Sequence, residues 1–281
     1  MSSDPTPRIS SAQLARLVPD LSPRDWGILR FLARHRFATT LQLRRACFPD
    51  HATPSAATRA CVRVLDRHLH HRLLGRLERR VGGIRHGSSS FIWHLDVAGY
   101  RLLQGADDQR RHRFTAPSPV FLDHTLAVTE THVVLHEAAR TGALALEQVQ
   151  IESEAWRPFL DRHGVATILK PDLYVEILTT DYDDHWYVEV DRGTEHLPVL
   201  LAKCRAYAAY QATGRAQAEH GVFPRVLWLL PTPAREARLR AAVRAAPDLS
   251  ERLFAFTTTD NLLSIVADQD PSPTHPKGET S

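Results

Sequence analysis

Apolar residues recur at helical spacing through the first part of the chain. Three such segments, residues 22–35, 40–47 and 56–72, predict helices, and the first begins at a serine–proline pair that favours a helix start. Two short apolar runs at residues 74–80 and 91–95 then predict a β-hairpin. Three helices followed by a hairpin predict a winged helix-turn-helix, whose third helix enters the major groove of DNA. The predicted buried stripe of that helix is Val62, Leu65, Leu69 and Leu73.

The second part of the chain mixes strand-like alternation with helical spacing. An unbroken apolar run at residues 226–230 is typical of a strand buried in a parallel sheet. The predicted elements are helices at residues 123–140, 195–212, 233–246 and 261–266, and strands near residues 144–153, 173–178, 186–191, 226–230 and 253–257.

Composition changes along the chain set the predicted domain boundaries. Residues 1–20 contain Ser and Pro and are predicted to be flexible, and residues 106–120 are polar and charged, as in a linker. The polar, proline-rich residues 268–281 are predicted to be disordered. The winged-helix domain therefore spans residues 21–105, and a second domain spans residues 121–267.

The whole-chain composition favours a two-domain protein of the cytoplasm. The chain has 281 residues, 43% of them hydrophobic, which is enough for two cores. No apolar run approaches the ~20 residues that cross a bilayer, and the N-terminus lacks the apolar stretch of a signal peptide. Three widely separated cysteines indicate neither a disulfide framework nor a zinc site.

Charge divides the chain into two unlike parts. Residues 1–105 hold 17 arginines, no lysine and seven acidic residues, a net charge of +10, whereas residues 106–281 have a net charge of −7. The basic part is suited to binding phosphates, and the acidic part to attracting cations. The alternative for the arginines of the third helix is a solvated surface. The candidate DNA-binding residues are Arg59, Arg63 and Arg67 on that helix and Arg79, Arg80 and Arg85 in the wing.

Three acidic residues lie on the two central predicted strands. Asp172 precedes the first strand, and Glu189 and Asp191 share one face of the second, because side chains alternate along a strand. Carboxylates brought together in a sheet repel one another and lose hydration unless they share a cation. Oxygen ligands of this kind favour Mg²⁺ or Mn²⁺.

These residues also resemble two known patterns. Pro171-Asp172 followed by a strand with Glu189 resembles the PD-(D/E)xK nuclease superfamily, although Asp191 stands where that pattern has lysine. The string EVDRGTE at residues 189–195, followed by Lys203 and spaced tyrosines, resembles the replication-relaxation family of actinobacterial plasmid and mobile-element proteins. The resemblance covers about residues 21–266.

The resemblance implies a fold and a set of roles. The expected fold is α+β or α/β: a winged helix followed by a restriction-endonuclease-like mixed sheet flanked by helices. Asp172 and Glu189 are the expected metal ligands, and Lys203 replaces the absent strand lysine. Asp191 is a further ligand or holds Lys203. The alternative is an ion-paired strand and helix without catalysis, in which Asp191 pairs with Lys203 or Arg192.

Three further residues are weaker candidates. A glutamate on the first helix of such nucleases often points at the metal, so Glu130 is a candidate fourth carboxylate, with an exposed helix residue as the alternative. Tyr207 and Tyr210 follow Lys203 at helical spacing and are candidate nucleophiles, although aromatic residues at this spacing are more often packing residues.

Two functions are consistent with these patterns. The first is a Mg²⁺- or Mn²⁺-dependent DNA endonuclease or nickase of plasmid replication or mobilisation, associated with the bacterial nucleoid or plasmid. The alternative is a non-catalytic DNA-binding accessory factor or regulator with a degenerate nuclease domain. The expected partner is double-stranded DNA. A second copy of the chain and replication or conjugation proteins are further candidate partners.

Overall fold

The computed structural model describes residues 9–77, 91–104, 114–178 and 183–267. The chain divides into two compact units, Met1–Thr129 and Glu130–Ser281. The division falls inside a long helix, Pro119–Arg140, that begins within the predicted linker at residues 106–120. Parts of the predicted wing, linker and C-terminal tail lie outside the described residues.

The first unit combines helices with a small antiparallel sheet. Its elements are α1 (Ser11–Leu17), α2 (Pro23–His35), β1 (Ala38–Thr39), α3 (Thr40–Cys47), α4 (Pro54–His70), β2 (Leu74–Leu77), β3 (Ile92–Leu95), α5 (Val97–Gln104) and α6 (Pro119–Arg140). The three strands pair antiparallel in the order β1-β3-β2.

Side-chain caps fix where these helices begin. The hydroxyl of Ser22 accepts a hydrogen bond from the third residue of α2, and Pro23 occupies the first turn, which confirms the predicted start. Thr39, not the predicted Thr40, caps α3, and Thr53 caps α4. Within the N-terminal stretch predicted to be flexible, α1 has a capping box at Ser10.

The buried stripe of α4 differs from the predicted one. Val62 is 39% exposed, whereas Cys61, Leu65 and His68 are buried. A polar residue lies in this core because Nε2 of His68 is 2.9 Å from Oδ1 of the buried Asp25, so the imidazole has a partner. The prediction of Val62 as a core residue was therefore wrong.

The second unit is built on a mixed five-stranded sheet. Its elements after α6 are β4 (Ala145–Ile151), β5 (Arg157–Leu160), β6 (Ala166–Leu169), β7 (Leu173–Leu178), β8 (Asp183–Val190), α7 (Leu197–Gln211), α8 (Arg215–His220), β9 (Arg225–Leu230), α9 (Pro233–Ala245), β10 (Phe254–Thr258) and α10 (Leu262–Ala267). The strand order of the sheet is β10-β9-β8-β7-β4, with antiparallel pairing among β4, β7 and β8 and parallel pairing among β8, β9 and β10.

The core of this unit lies between α7, α9 and the sheet. The apolar run of β9 is buried and pairs in parallel with both neighbouring strands, as predicted. Leu200, Cys204 and Tyr207 of α7 are buried in the core, whereas Leu201 is only partly buried. The side of α7 that carries Tyr207 therefore packs inward.

Candidate functional site

Two acidic residues are brought together by the pairing of β7 with β8. Leu173 pairs with Val188 in the antiparallel register, and extending that register by one residue sets Asp172 opposite Glu189. Oδ2 of Asp172 accepts a 2.7 Å hydrogen bond from the backbone N–H of Val190. The carboxyl of Asp172 is thus held against the strand that carries Glu189.

Helix α7 covers Glu189 with two polar side chains. The hydroxyl of Tyr207 donates a 2.6 Å hydrogen bond to Oε1 of Glu189, and Nζ of Lys203 lies 3.5 Å from Oε2. Lys203 and Tyr207 are four residues apart, so both project from one side of the helix. Glu189 is only 3% exposed. The side of α7 that carries Lys203 and Tyr207 therefore meets Glu189.

Burial changes the acidity of the groups in this cluster. Loss of hydration and the charge of Asp172 raise the pKa of Glu189 to about 8, against the opposing effects of Lys203 and Tyr207. Burial and the nearby Glu189 raise the pKa of Tyr207 far above its ordinary value. For Lys203, burial alone would lower the pKa, but the charges of Glu189 and Glu195 raise it. The cluster therefore retains protons, with Lys203 as its cation.

Asp191 belongs to a different set of contacts. Its carboxylate accepts two hydrogen bonds from the guanidinium of Arg235 on α9, from Nε and, at 2.9 Å, from Nη2. The backbone N–H of Gly193 donates to the same carboxylate at 3.1 Å. The side chain of Asp191 is 1% exposed. We predicted a metal, Lys203 or Arg192 as its partner, and the structure pairs it with Arg235.

Two residues of this site were not singled out in the sequence. Glu195 lies 2.9 Å from Nζ of Lys203, closer than Glu189 does. Arg235 lies 44 residues beyond Asp191, so no local pattern links them. The parallel pairing of β8 with β9, which leads into α9, brings them together.

The tyrosines and Glu130 take other positions. Tyr207 and Tyr210 are 1% and 2% exposed, and the ring of Tyr210 packs edge-on against Phe159 and Phe223. A buried phenol cannot reach a phosphodiester without local opening, so packing accounts for both rings. Glu130 is half-buried on α6.

The donor set bears on the predicted metal ion. No group of three His, Cys, Asp or Glu side chains suited to a metal occurs in the described part of the chain. Asp172 and Glu189 supply two carboxylates with mutually unfavourable charges. Two carboxylates fit one hard divalent cation whose remaining ligands are water molecules, as is common for Mg²⁺. The carboxylate of Asp191 is paired with Arg235 instead.

The predicted DNA-binding arginines have unequal surroundings. Arg59 and Arg63 are exposed on α4, and Arg59 donates a 2.7 Å hydrogen bond to Oγ of Ser55. Arg67 is half-exposed but donates to the buried Asp25. Arg59 and Arg63 are thus available to a phosphate, whereas Arg67 also ties α4 to α2. Arg79, Arg80 and Arg85 lie outside the described residues.

Comparison with known proteins identifies a family. The model of a family described as Replication-relaxation matches residues 29–226, most of the stretch over which we saw the resemblance. No curated protein and no solved structure gives a significant match. Among the described helices, none is both long and apolar enough to cross a membrane.

Proposed function

The chain belongs to the replication-relaxation family, and on that premise we propose that it binds duplex DNA and cuts or nicks it with the help of a divalent cation. Family membership indicates a role in the replication or relaxation of DNA. The proposal adds an assignment to each unit: the first holds the duplex, and the second acts on the phosphodiester bond.

The contacts among Asp172, Glu189 and Lys203 carry this proposal. Two carboxylates face one another across β7 and β8, and burial and the charge of Asp172 raise the pKa of Glu189 to about 8. A protein gains no stability from such an arrangement, and perturbed acidic groups of this kind are more common at functional sites. Two carboxylates can hold a catalytic metal ion, and an ammonium group beside them can stabilise the charge that develops during phosphodiester cleavage.

The fold of the second unit supports the same assignment. A helix, three antiparallel strands, a helix and a parallel strand occur in this order as α6, β4, β7, β8, α7 and β9, with β5, β6 and α8 inserted between them. This order resembles the core of the PD-(D/E)xK nucleases. The carboxylates lie on the central strands, as that resemblance implies.

Each polar residue has a part in the proposed reaction. Asp172 and Glu189 would hold a Mg²⁺ or Mn²⁺ ion, which when bound lowers the pKa of a coordinated water and offsets phosphate charge. Lys203, whose side chain is 38% exposed, would bind a non-bridging oxygen of the scissile phosphate. Tyr207 orients the carboxylate of Glu189.

The first unit fits the task of holding DNA. Its order of helices and strands, with α4 preceding the β2–β3 pair, resembles that of a winged helix and supports this assignment. Arg59 and Arg63 lie exposed on α4, where a recognition helix presents its side chains. The net charge of +10 over residues 1–105 supports binding to the phosphate backbone.

Cleavage of a supercoiled plasmid tests the proposal. We expect the wild-type chain to convert plasmid to nicked or linear DNA with Mg²⁺ or Mn²⁺ and not with EDTA, and Asp172→Asn, Glu189→Gln and Lys203→Met to remove the activity. Glu251→Gln, which breaks an exposed ion pair with Arg244, is the matched control. Equal cleavage by the wild type and Glu189→Gln would refute the assignment.

A specific observation favours a second candidate function. Glu189 is almost fully enclosed by Tyr207 and Lys203, and Asp191 is neutralised by Arg235. These contacts also suit a scaffold that grips DNA without cutting it. Duplex binding by the wild type without cleavage under any divalent cation would establish this non-catalytic role.

A further inference from the structure

The ammonium of Lys203 lies closer to Glu195, which is outside the Asp172–Glu189 carboxylate pair, than to Glu189. A lysine side chain has a flexible four-carbon stem, so a helix alone does not fix where its ammonium lies. Nζ of Lys203 lies 2.9 Å from Oε2 of Glu195 and 3.5 Å from Oε2 of Glu189. The closer contact is to the residue outside the β7–β8 pair. The ammonium is thus drawn to one side of Glu189 instead of resting on it.

Glu195 is in turn held by the turn that follows β8. Arg235 donates to Asp191 at the start of this turn and, through Nη2 at 2.6 Å, to the backbone carbonyl of Glu195 at its end. Gly193, with φ of 80°, lets the chain reverse between these points. One guanidinium therefore ties both ends of the turn to α9, which limits the positions open to Glu195.

We infer that Glu195 is a positioning residue for Lys203, and that the contacts of Arg235 with Asp191 and Glu195 place Glu195 for this role. The inference depends on the proposed function in one respect, namely that Lys203 binds a phosphate of the DNA. The buried Asp191–Arg235 ion pair thereby serves the site without binding metal or substrate.

The arrangement has a chemical consequence. Without Glu195, Glu189 is the remaining close carboxylate of Lys203, and its contact is the longer one, at 3.5 Å. The ammonium is then held less firmly and is free to move over Glu189, where a divalent ion is proposed to bind. Two cations would then compete for one carboxylate. By holding Lys203 to one side, Glu195 keeps Glu189 accessible to the ion and the ammonium directed at the phosphate.

The lysine content of the chain permits a direct test. Only three lysines occur, Lys170, Lys203 and Lys277, so trace acetylation followed by peptide mass spectrometry resolves each one. The labelling rate of Lys203 relative to Lys170 and Lys277 reports how firmly its amine is held. We expect Glu195→Gln to raise that ratio about threefold, the size expected on losing a half-exposed ion pair. Glu195→Asp, which keeps the charge, should restore most of the protection.

Two controls separate positioning from general loosening. Glu251→Gln removes a comparable exposed ion pair to Arg244 in the same unit and should leave the ratio unchanged. Arg235→Lys keeps a cation beside Asp191 but loses the fork that reaches Glu195, and it should also raise the ratio. If Arg235→Lys fails to fold, the double variant Asp191→Asn, Arg235→Gln replaces the ion pair with two amides. If Glu195→Gln has the wild-type labelling ratio, Glu195 does not position Lys203 and the inference is overturned. If a folded Arg235 variant has the wild-type labelling ratio, Arg235 does not place Glu195 for that role.

Metal binding and activity distinguish this inference from the proposed function. If the wild type cleaves DNA, Glu195→Gln should bind Mn²⁺ about threefold more weakly, because Lys203 competes for Glu189, and Glu195→Asp should recover that affinity. If no form of the chain binds Mn²⁺ or cleaves DNA but the labelling ratio rises, the positioning contact stands and the nuclease assignment fails. If the wild type cleaves DNA but Glu195→Gln leaves the labelling ratio unchanged, the nuclease assignment stands and the positioning contact fails.

Discussion

Tyr207 donates a 2.6 Å hydrogen bond to Glu189, and both side chains are almost fully buried between α7 and the sheet. The contact joins the helix to the strand that carries the proposed site. It also gives Oε1 of the buried carboxyl group a hydrogen-bond donor, while Lys203 lies near Oε2. Tyr207 is thus a structural support for Glu189, and the role of nucleophile, for which it was a weak candidate, does not suit its burial.

Removing that hydroxyl should destabilise the second unit. We expect Tyr207→Phe to lower the free energy of unfolding by about 1–3 kcal/mol, because the carboxyl of Glu189 loses its donor while staying buried. Urea denaturation followed by circular dichroism measures the change. Tyr210→Phe, in the same helix and packed against Phe159 and Phe223, is the control and should cost less than half as much. Equal losses would assign the effect to packing.

Stability should fall as the pH rises through the neutral range. The pKa of Glu189 is about 8 in the folded chain and ~4.3 in an unfolded one, so between these values the folded chain binds the extra proton. The free energy of unfolding in EDTA should therefore decrease from pH 5 to pH 8, by up to ~1.4 kcal/mol per pH unit.

The variant Glu189→Gln isolates this effect. An amide does not titrate, so the slope between pH 5 and pH 8 should become flatter, whereas Glu251→Gln should keep the wild-type slope. Urea titrations at several pH values provide the measurement. A slope unaffected by Glu189→Gln would show that another group causes it.

The exposed arginines of α4 should determine the salt dependence of DNA binding. Each phosphate contact contributes ~0.9 to the slope of log K against log salt, so Arg59→Ala with Arg63→Ala should reduce that slope by roughly 2. Fluorescence anisotropy with a labelled duplex over a salt series measures it. Arg205→Ala, which removes an exposed arginine paired with Asp248 in the second unit, is the control. An unchanged slope in the double variant would place the duplex elsewhere.

Two helical glycines should respond oppositely to alanine. A Cβ on Gly99 would lie 2.3 Å from the carbonyl oxygen of Leu73, so α5 must move, and we expect Gly99→Ala to cost about 1–3 kcal/mol. A Cβ on Gly27 would meet nothing within 4 Å, so Gly27→Ala should stabilise α2 by about 0.5–1 kcal/mol. Thermal unfolding of both variants tests the packing of the first unit. Similar shifts in the melting temperatures of the two variants would contradict the packing described for Gly27 and Gly99.

Much of the fold follows from local sequence patterns. The serine–proline pair at Ser22 fixes the start of α2, and the apolar run of β9 gives a buried parallel strand. The hairpin of β5 and β6 was missed because its outward positions, Pro158, Leu160 and Ile168, are apolar and exposed. Without alternation between polar and apolar residues, a short strand gives no recognisable signal.

The candidate site was only partly predictable for a related reason. Asp172, Glu189 and Lys203 lie near one another in sequence, and strand pairing followed by a helix brings them together. The partner of Asp191 depends on β9 and α9, which follow much later, so Arg235 carries no local signal. The buried position of His68 likewise has no local signal, because its partner Asp25 lies on another helix.

A calorimetric titration of the full chain with Mn²⁺ tests the proposed site most directly. We expect one ion to bind per chain, with Asp172→Asn and Glu189→Gln each weakening binding by at least about tenfold through loss of a charged ligand. Asp191→Asn should weaken binding by no more than about threefold, since Arg235 pairs with Asp191 and the loss of this pair acts only through the position of Lys203. Absence of Mn²⁺ binding in the wild type, or binding that survives both ligand substitutions, would contradict a metal site at Asp172 and Glu189.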